Sequence, residues 1–322
     1  MYKHACGMIR NMKKYCVIGT PVGHSKSPAL FKRFMTEKGL KYGEDAEYLI
    51  TEITDAEQLH AFVEEMKTGV WSGCNVTMPW KTDMVKYMDE LSETAKITDA
   101  VNTVSAKDGR LFGDSTDGRG MLNAIKAETG CDIKDKKVVM LGCGGAARSI
   151  IAEAVLRGAE RIDIICRGAG NIDGPGPEKG TNLGLTLELI EKMYAQGSEG
   201  TETEGVQTED TVKDGVEKKP AYETKIVFTE SGDFEKVQKA VTDADILINS
   251  TPLGMLDGRG NENRLPISED IIFGKDLIVA DCVYNPDETL LIKKAKEAGA
   301  RTVKGIRMLE EQARCGVEIL LR

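Results

Sequence analysis

Apolar positions along this chain recur with two periods, and the switches between them mark out its elements. The first apolar run, YCVIGTPV from Tyr15, is short and continuous, as in a strand covered on both faces. SKSPALFKRFMTEKG then reads as a helix, with Pro28 in the first turn, where proline is tolerated. A strand is expected near Ala46–Ile50. It is followed by a helix opened by Thr54, with Thr54 and Glu57 as a capping box. Leu59, Phe62, Val63 and Met66 recur at helical spacing and define one buried face. GVWSGCNVTMP reads as a strand ending at Pro79, a helical region runs to about Asp99, and two short strands flank the Asp108-Gly109 turn.

From about Asp117 the rhythm changes. A helix over Gly118–Thr129 leads into KKVVMLGCGGAARSIIAEAVLRGAERIDIICR, which is an apolar strand, a glycine turn, a helix and a second apolar strand. Further strands are expected at 225–228, 245–249, 276–281 and 300–303, with helices between them, one of them Leu185–Ala195. Apolar strands alternating with helices predict a parallel α/β sheet of doubly wound, Rossmann-like type. The last helix, Ile306–Leu321, places Ile306, Leu309, Ala313, Val317 and Leu320 on one side and is expected to return to the first domain. The predicted organisation is an N-terminal α/β domain over 12–116 with 305–322, and a Rossmann-like domain over 117–304. Residues 1–11 read as a loose leader.

One stretch breaks the pattern. Residues 196–220 hold almost no apolar side chains and carry 7 acidic and 3 basic ones, so they read as a solvated, low-complexity insertion. They change the meaning of the net charge. Of the overall −9, this segment supplies −4. The acidity still argues against a nucleic-acid surface, which needs a basic footprint, but a local pocket can welcome an anion. No apolar stretch approaches membrane-spanning length, and the first residues lack the apolar core of a secretory signal. The 8 cysteines include no CxxC pair, and several lie in apolar runs, which suits buried or free thiols in a reducing cytoplasm. With only 3 histidines, proton transfer falls to Lys, Asp or Tyr, and no residue set reads as a metal site.

The glycine turn is the first candidate chemistry. Gly142, Gly144 and Ala147 match G-x-G-x-x-A between a strand and a helix, the context the dinucleotide fingerprint requires. Gly142 permits the tight turn and Gly144 admits a pyrophosphate to the backbone. Ala147 allows close helix–strand packing, and the helix N-terminus, from Gly145 and Ala146, meets the negative charge. NAD selectivity places an acid at the end of the second strand. Here that end reads Cys166-Arg167-Gly168, and Arg167 suits a 2′-phosphate, so NADP is favoured over NAD. Arg148 could assist or be a solvated helix residue.

The first domain offers a set of polar side chains at strand ends. Ser25 and Ser27 flank Lys26, and Pro28 biases Ser27 towards extended backbone. That would point both hydroxyls one way, as a carboxylate site needs. The same Ser-x-Ser-Pro also reads as a helix N-cap. Asn75 and Thr77 alternate with Val76 and Met78, which predicts the polar pair facing out and the apolar pair facing the core. Lys81 follows Pro79, Asn102 and Thr103 end another strand, and Asp114 and Asp117 close the domain. Asp117 could equally cap the helix after it. Together they look like a site for a polyhydroxylated acid.

GTPVGHSKSP, CNVTMPWK, DAVNTV, GDSTDG, GCGGAAR, INSTPLGM and KGIRMLEEQA, in that order, resemble the motif series of the shikimate dehydrogenases from about residue 15 to 322. The resemblance implies an NADP-linked enzyme interconverting 3-dehydroshikimate and shikimate in aromatic amino-acid and chorismate biosynthesis. By motif, Lys81 and Asp117 would be the catalytic pair, and Ser25 and Ser27 would take the substrate carboxylate. Asn75, Thr77, Asn102 and Gln312 would hold ring hydroxyls or the reacting oxygen. Tyr284 and Gly305 would lie by the nicotinamide, and Asn249, Ser250 and Thr251 would line the cofactor site. The chain departs from the family's usual Asn-Arg-Thr/Ser at Cys166-Arg167-Gly168. Alternatives are an NAD-dependent quinate/shikimate dehydrogenase and a non-catalytic ligand sensor. The expected partners are the small-molecule substrate and NADP, with no nucleic acid and no membrane, in a cytoplasmic monomer or homodimer.

Overall fold

The computed structural model describes residues 12–23, 25–172, 177–195 and 222–322. The leader at 1–11 and the acidic insertion at 196–220 lie outside the described residues. The chain divides into two compact units. One runs to Thr116 and takes back Ala313–Arg322, and the other spans Asp117–Gln312.

In the first unit the opening apolar run forms β1 (Lys13–Gly19), followed by α1 (Ser27–Glu37), β2 (Ala46–Glu52), α2 (Ala56–Lys67) and β3 (Gly73–Val76). β1 pairs in parallel with both β2 and β3. Its side chains alternate, so the two faces feed different cores. Cys16 and Ile18 pack with the α2 stripe Leu59, Phe62, Val63 and Met66. Tyr15 and Val17 pack with Phe31, Phe34 and Met35 of α1 and with Val317 and Leu320 from the C-terminus. The expected helical region to Asp99 is broken. A short 3-10 turn at Asp83–Tyr87 precedes β4 (Glu90–Leu91) and α3 (Glu93–Thr98). The Asp108-Gly109 hairpin joins β5 (Thr103–Lys107) to β6 (Arg110–Asp114), giving a mixed sheet of order β2-β1-β3-β5-β6-β4.

The cap of α2 sits one residue later than the sequence suggested. Asp55 accepts from Gln58 N at 2.9 Å, and Gln58 Oε1 accepts from Thr54 N at 3.0 Å. Asp55 is therefore the cap, with Gln58 reaching back to the residue before it, in place of a Thr54–Glu57 box. A carboxylate at the position preceding helical backbone outcompetes the neighbouring hydroxyl.

The second unit runs α4 (Asp117–Thr129), β7 (Lys137–Leu141), α5 (Gly145–Leu156), β8 (Arg161–Cys166), α6 (Asn182–Ala195) and β9 (Lys225–Glu230). It continues with α7 (Phe234–Asp243), β10 (Ile246–Asn249), β11 (Ile278–Asp281), α8 (Leu290–Glu297) and β12 (Arg301–Val303). All strand pairs are parallel, in the order β12-β11-β10-β7-β8-β9. Counted within the unit this is the doubly wound dinucleotide-binding order, whose switch point falls between β7 and β10. Crossovers place α4 and α5 against each other closely enough that only glycine fits at 118, where a Cβ would lie 2.0 Å from Ser149 O.

α9 (Gly305–Leu320) begins in the second unit and ends in the first. The segment 305–312, expected with the first domain, stays with the second unit. A Cβ at Gly305 would lie 2.3 Å from Val283 O, and Arg307 pairs with Glu128 at 2.7 Å. From Cys315 onward the buried residues are Cys315, Val317, Ile319 and Leu320.

Candidate functional site: a hydroxyl–amide chain and a glycine turn

The first unit links Ser27, Asn75, Thr103 and Asn102 into one run of hydrogen bonds. Ser27 bonds the phenol of Tyr48, and Tyr48 donates to Asn75 Oδ1 at 2.7 Å. Asn75 Nδ2 donates to Thr103 Oγ1 at 3.0 Å, and Thr103 Oγ1 donates to Asn102 Oδ1 at 3.1 Å. Asn102 Oδ1 also accepts from Thr116 N at 2.9 Å. Burial pushes the Tyr48 phenol well above its ordinary value, so it stays a neutral donor. Such a chain fixes amide orientations that are otherwise free to flip. Gly316 belongs to the same arrangement, because a Cβ there would lie 3.1 Å from Asn75 Nδ2.

Two local expectations fail. Ser25 and Ser27 do not lie in extended chain. Lys26 is helical in backbone and Ser27 is the first residue of α1, with Pro28 in the opening turn. The helix start overrides the pre-proline bias. Ser25 Oγ instead accepts from Ser27 N at 3.2 Å. Nor does Met78 face the core. It is 74% exposed, because β3 ends at Val76 and the alternation stops with it.

Thr77 and Lys81 sit on a tightly held turn after β3. Trp80 N donates to Thr77 O at 3.1 Å, the Trp80 indole donates to Ile53 O at 2.7 Å, and Val101 N donates to Lys81 O at 2.9 Å. Gly19 is needed there, since a Cβ would lie 2.4 Å from Thr77 Cγ2. Lys81 is half-buried. Asp114 is taken up structurally, accepting from Ser92 Oγ at 2.6 Å and Ser115 N at 2.7 Å.

Asp117 opens α4 in the second unit, where Gln312 also lies. A Cβ at Gly120, one turn after Asp117, would lie 2.4 Å from Gln312 Cβ, so the structure brings this pair of elements together. The glycine turn follows β7. Gly142 has φ +97, and a Cβ there would lie 2.9 Å from Thr251 Cγ2. Gly144 precedes α5 with no side-chain cap, and the space beside it is open. Gly145 and Ala146 therefore present the first turn of a helix with free N–H donors, and buried Ala147 packs beneath. Arg148 Nη1 is buried and has no hydrogen-bond partner. Arg167 is exposed just past β8. An uncapped helix start, an open glycine and an unpartnered guanidinium nitrogen fit a dinucleotide phosphate.

Asn249 needs correction as a direct cofactor ligand. It is 0% exposed and donates to Asp281 Oδ1 at 2.8 Å and to Leu253 O at 3.2 Å. Its Oδ1 accepts from Thr251 N at 3.0 Å and Thr251 Oγ1 at 2.8 Å. Asn249 thus positions the Thr251 loop. It is held by Asp281, whose carboxylate also accepts from Thr289 Oγ1 at 2.6 Å and Val283 N at 2.9 Å. Burial raises the Asp281 carboxyl to about 6 against these donors. Ser250 Oγ donates to Leu141 O at 2.8 Å, tying the same loop to β7. Tyr284 is 45% exposed beyond β11, while Gly305 is buried against Val283 and Cys282.

Sequence reasoning named Thr103 only as a strand-end polar residue and missed Tyr48, Asp281 and Thr289. Tyr48 was the most accessible of them, since a tyrosine at an inward position of a strand needs a partner for its hydroxyl. Among the described residues no cluster of three or more His, Cys, Asp or Glu could hold a metal ion, and no helix is long and apolar enough to cross a membrane.

Comparison with known proteins places these features. Residues 17–104 match the shikimate dehydrogenase substrate binding domain. A shikimate dehydrogenase (NADP(+)) of Alkaliphilus oremlandii is 32% identical over 303 residues, covering 94% of this chain and 89% of the relative. One of Methanopyrus kandleri is 33% identical, covering 94% and 88%. Among solved structures, a shikimate 5-dehydrogenase of Listeria monocytogenes in complex with shikimate and NAD superposes with a TM-score of 0.77. It is 30% identical, with 100% of this chain and 94% of that chain covered. With this identity sustained along nearly the whole chain, the protein belongs to the shikimate dehydrogenase family.

Proposed function

We propose that the chain is an NADPH-dependent shikimate dehydrogenase, reversibly reducing 3-dehydroshikimate to shikimate. The observation that carries this reading is the end-to-end match to relatives named as NADP-linked shikimate dehydrogenases. The nicotinamide cofactor supplies the hydride. The protein's own work is to bind, orient and manage one proton. Ser25 and Ser27, at the start of α1, take the substrate carboxylate. Asn75, Thr77, Asn102 and Gln312 hold the ring hydroxyls. Tyr48 and Thr103 keep the two asparagine amides turned one way. Lys81 as ammonium donates the proton to the carbonyl oxygen during reduction, and Asp117 acts with it as the second member of the catalytic pair. On the cofactor side, Gly142, Gly144, Gly145 and Ala146 present backbone to the pyrophosphate, with Arg148 Nη1 as an added donor. Thr251 and Tyr284 complete that surface, and Gly305 supports it by packing.

The end of β8 reads Cys166-Arg167-Gly168, with a guanidinium where an NAD-selective strand carries its acid, which supports NADP over NAD. A cytoplasmic enzyme, monomer or homodimer, is the reading that accompanies this proposal. The test is absorbance at the reduced-nicotinamide band with shikimate and NADP. Turnover is expected, and kcat/KM compared across shikimate or quinate with NADP or NAD should be highest for shikimate with NADP. No turnover with any pair would return the chain to a ligand-sensing role.

A further inference from the structure

Two cysteines meet at the turn that receives the cofactor. Cys143 lies inside it, between Gly142 and Gly144, and Cys166 is the last residue of β8, the strand next to β7. Gly142 N donates to Ile165 O at 2.9 Å, which holds the two chain segments side by side. Each thiol bears on the titration of the other, as neighbouring side chains do. Leu141 pairs with Ile165, so Cys143 stands one residue past the position opposite Cys166. With strands about 4.8 Å apart and about 3.3 Å of rise per residue, that step lies within the roughly 4.4–6.8 Å of Cα separation a disulfide spans.

Their surroundings divide the labour. Cys143 is half-buried, and Arg148 and Arg167 both act on it. Neighbouring Cys166, with the charges of Arg148 and Arg167, lowers the Cys143 thiol and so favours its thiolate. Cys166 is 5% exposed, and burial and Glu230 keep it a thiol. A reactive, reachable thiolate beside a protected partner is the arrangement of an attacking and a resolving cysteine.

We propose that Cys143 and Cys166 form a reversible disulfide under hydrogen peroxide, and that this bond excludes the dinucleotide from the glycine turn. The Cys143 thiolate attacks one peroxide oxygen, the O–O bond breaks, and the departing hydroxide takes up a proton and leaves as water. The resulting sulfenic acid is attacked by the Cys166 sulfur, which gives up its proton, and a second water leaves. The two thiols lose two electrons between them, and one peroxide becomes two waters.

Bonded sulfurs sit closer than unbonded thiols, so closure draws the segments together. Cys166 is fixed within the sheet, where Ser231 N donates to its carbonyl at 3.1 Å. The displacement therefore falls on Gly142–Gly144, whose open backbone the pyrophosphate needs. Cofactor binding suffers while the first unit keeps its hydroxyl–amide chain. The cofactor half of this inference rests on the function proposed above.

The test treats the full chain with peroxide and maps thiols by mass spectrometry, alongside NADPH binding by fluorescence and shikimate binding by calorimetry. The expected result is a Cys143–Cys166 peptide lighter by two hydrogens and NADPH affinity reduced about 10–100-fold, the equivalent of one lost charge-assisted hydrogen bond. Shikimate affinity should be unchanged, and dithiothreitol should restore NADPH binding. Cys166→Ser, compared with its own untreated sample, should lose the reversible component. Absence of that peptide overturns the inference, as does its presence with unaltered NADPH affinity, or a Cys166→Ser chain that responds reversibly like the parent. If the untreated chain binds no NADPH, the proposed function fails, and the cofactor half of the inference falls with it. The peptide map then still decides the disulfide.

Discussion

Lys81, the proposed proton donor, sits on a turn pinned by Trp80 and by the bond from Val101 N to its carbonyl. Replacing it with alanine removes the donor and leaves the turn in place. Steady-state kinetics of Lys81→Ala should show kcat lower by on the order of 10²–10⁴, the usual worth of a positioned acid, and a far smaller change in shikimate Kd. Tyr48→Phe is a different kind of change. It deletes a buried hydroxyl that joins Ser27 to Asn75, so stability should fall by about 1–3 kcal/mol. The shikimate KM should rise more than kcat falls, and an unmoved KM would detach Tyr48 from the substrate side. Asp281 makes a pH prediction. Its carboxyl is raised to about 6, while an unfolded aspartate titrates near about 3.9. Between these values the folded state holds a proton the unfolded state has lost, so stability falls as pH rises through that window and levels above it. Urea midpoints of the parent, taken relative to Asp281→Asn, should decline from about pH 4 to about pH 6. At this scale the sequence named residue types well. It could not show which were spent on neighbours: Asn249 and Asn102 are both buried, with amide oxygens taken by partners distant or near in the chain, and those partners are tertiary facts.

Element boundaries followed the apolar periodicity wherever it was sustained. α2 buried the four residues its spacing marked, and every expected strand of the doubly wound sheet formed. The errors came where short-range signals competed. Thr54 and Asp55 are both good caps, and the choice turns on which residue stands just before helical backbone. Asp55→Ala should therefore cost about 0.5–2 kcal/mol and Thr54→Ala much less, read from urea denaturation. The opposite order would restore the Thr54 box. Pre-proline bias at Ser27 lost to helix initiation, a competition decided by the packing of Phe31, Phe34 and Met35, residues well downstream. The Cys143–Cys166 meeting was invisible for another reason. One lies in the turn after β7 and the other at the end of β8, and strand pairing is a tertiary fact.

For the molecule as a whole, the interleaved organisation was legible because the last helix carried an apolar stripe with no partner in its own neighbourhood. What the stripe could not reveal is where along α9 the allegiance changes. Packing decides that, with Gly305 and Arg307 on one side of the change and Val317 and Leu320 on the other. Leu320→Ala should destabilise the first unit by about 2–5 kcal/mol, as for other buried leucines. Hydrogen exchange should show the loss of protection at β1 and α1 rather than in the sheet of the second unit. Equal loss in both units would contradict the assignment. The same helix sets a timetable for biogenesis. Tyr15 and Phe31 emerge from the ribosome early, yet Val317 and Leu320, which complete their core, are added last. At about 5–20 residues per second, the intervening stretch of roughly 290 residues takes on the order of 15–60 s to make. Throughout that interval the nascent first unit waits with an open apolar face, making it the stage of this protein's life that most needs a chaperone.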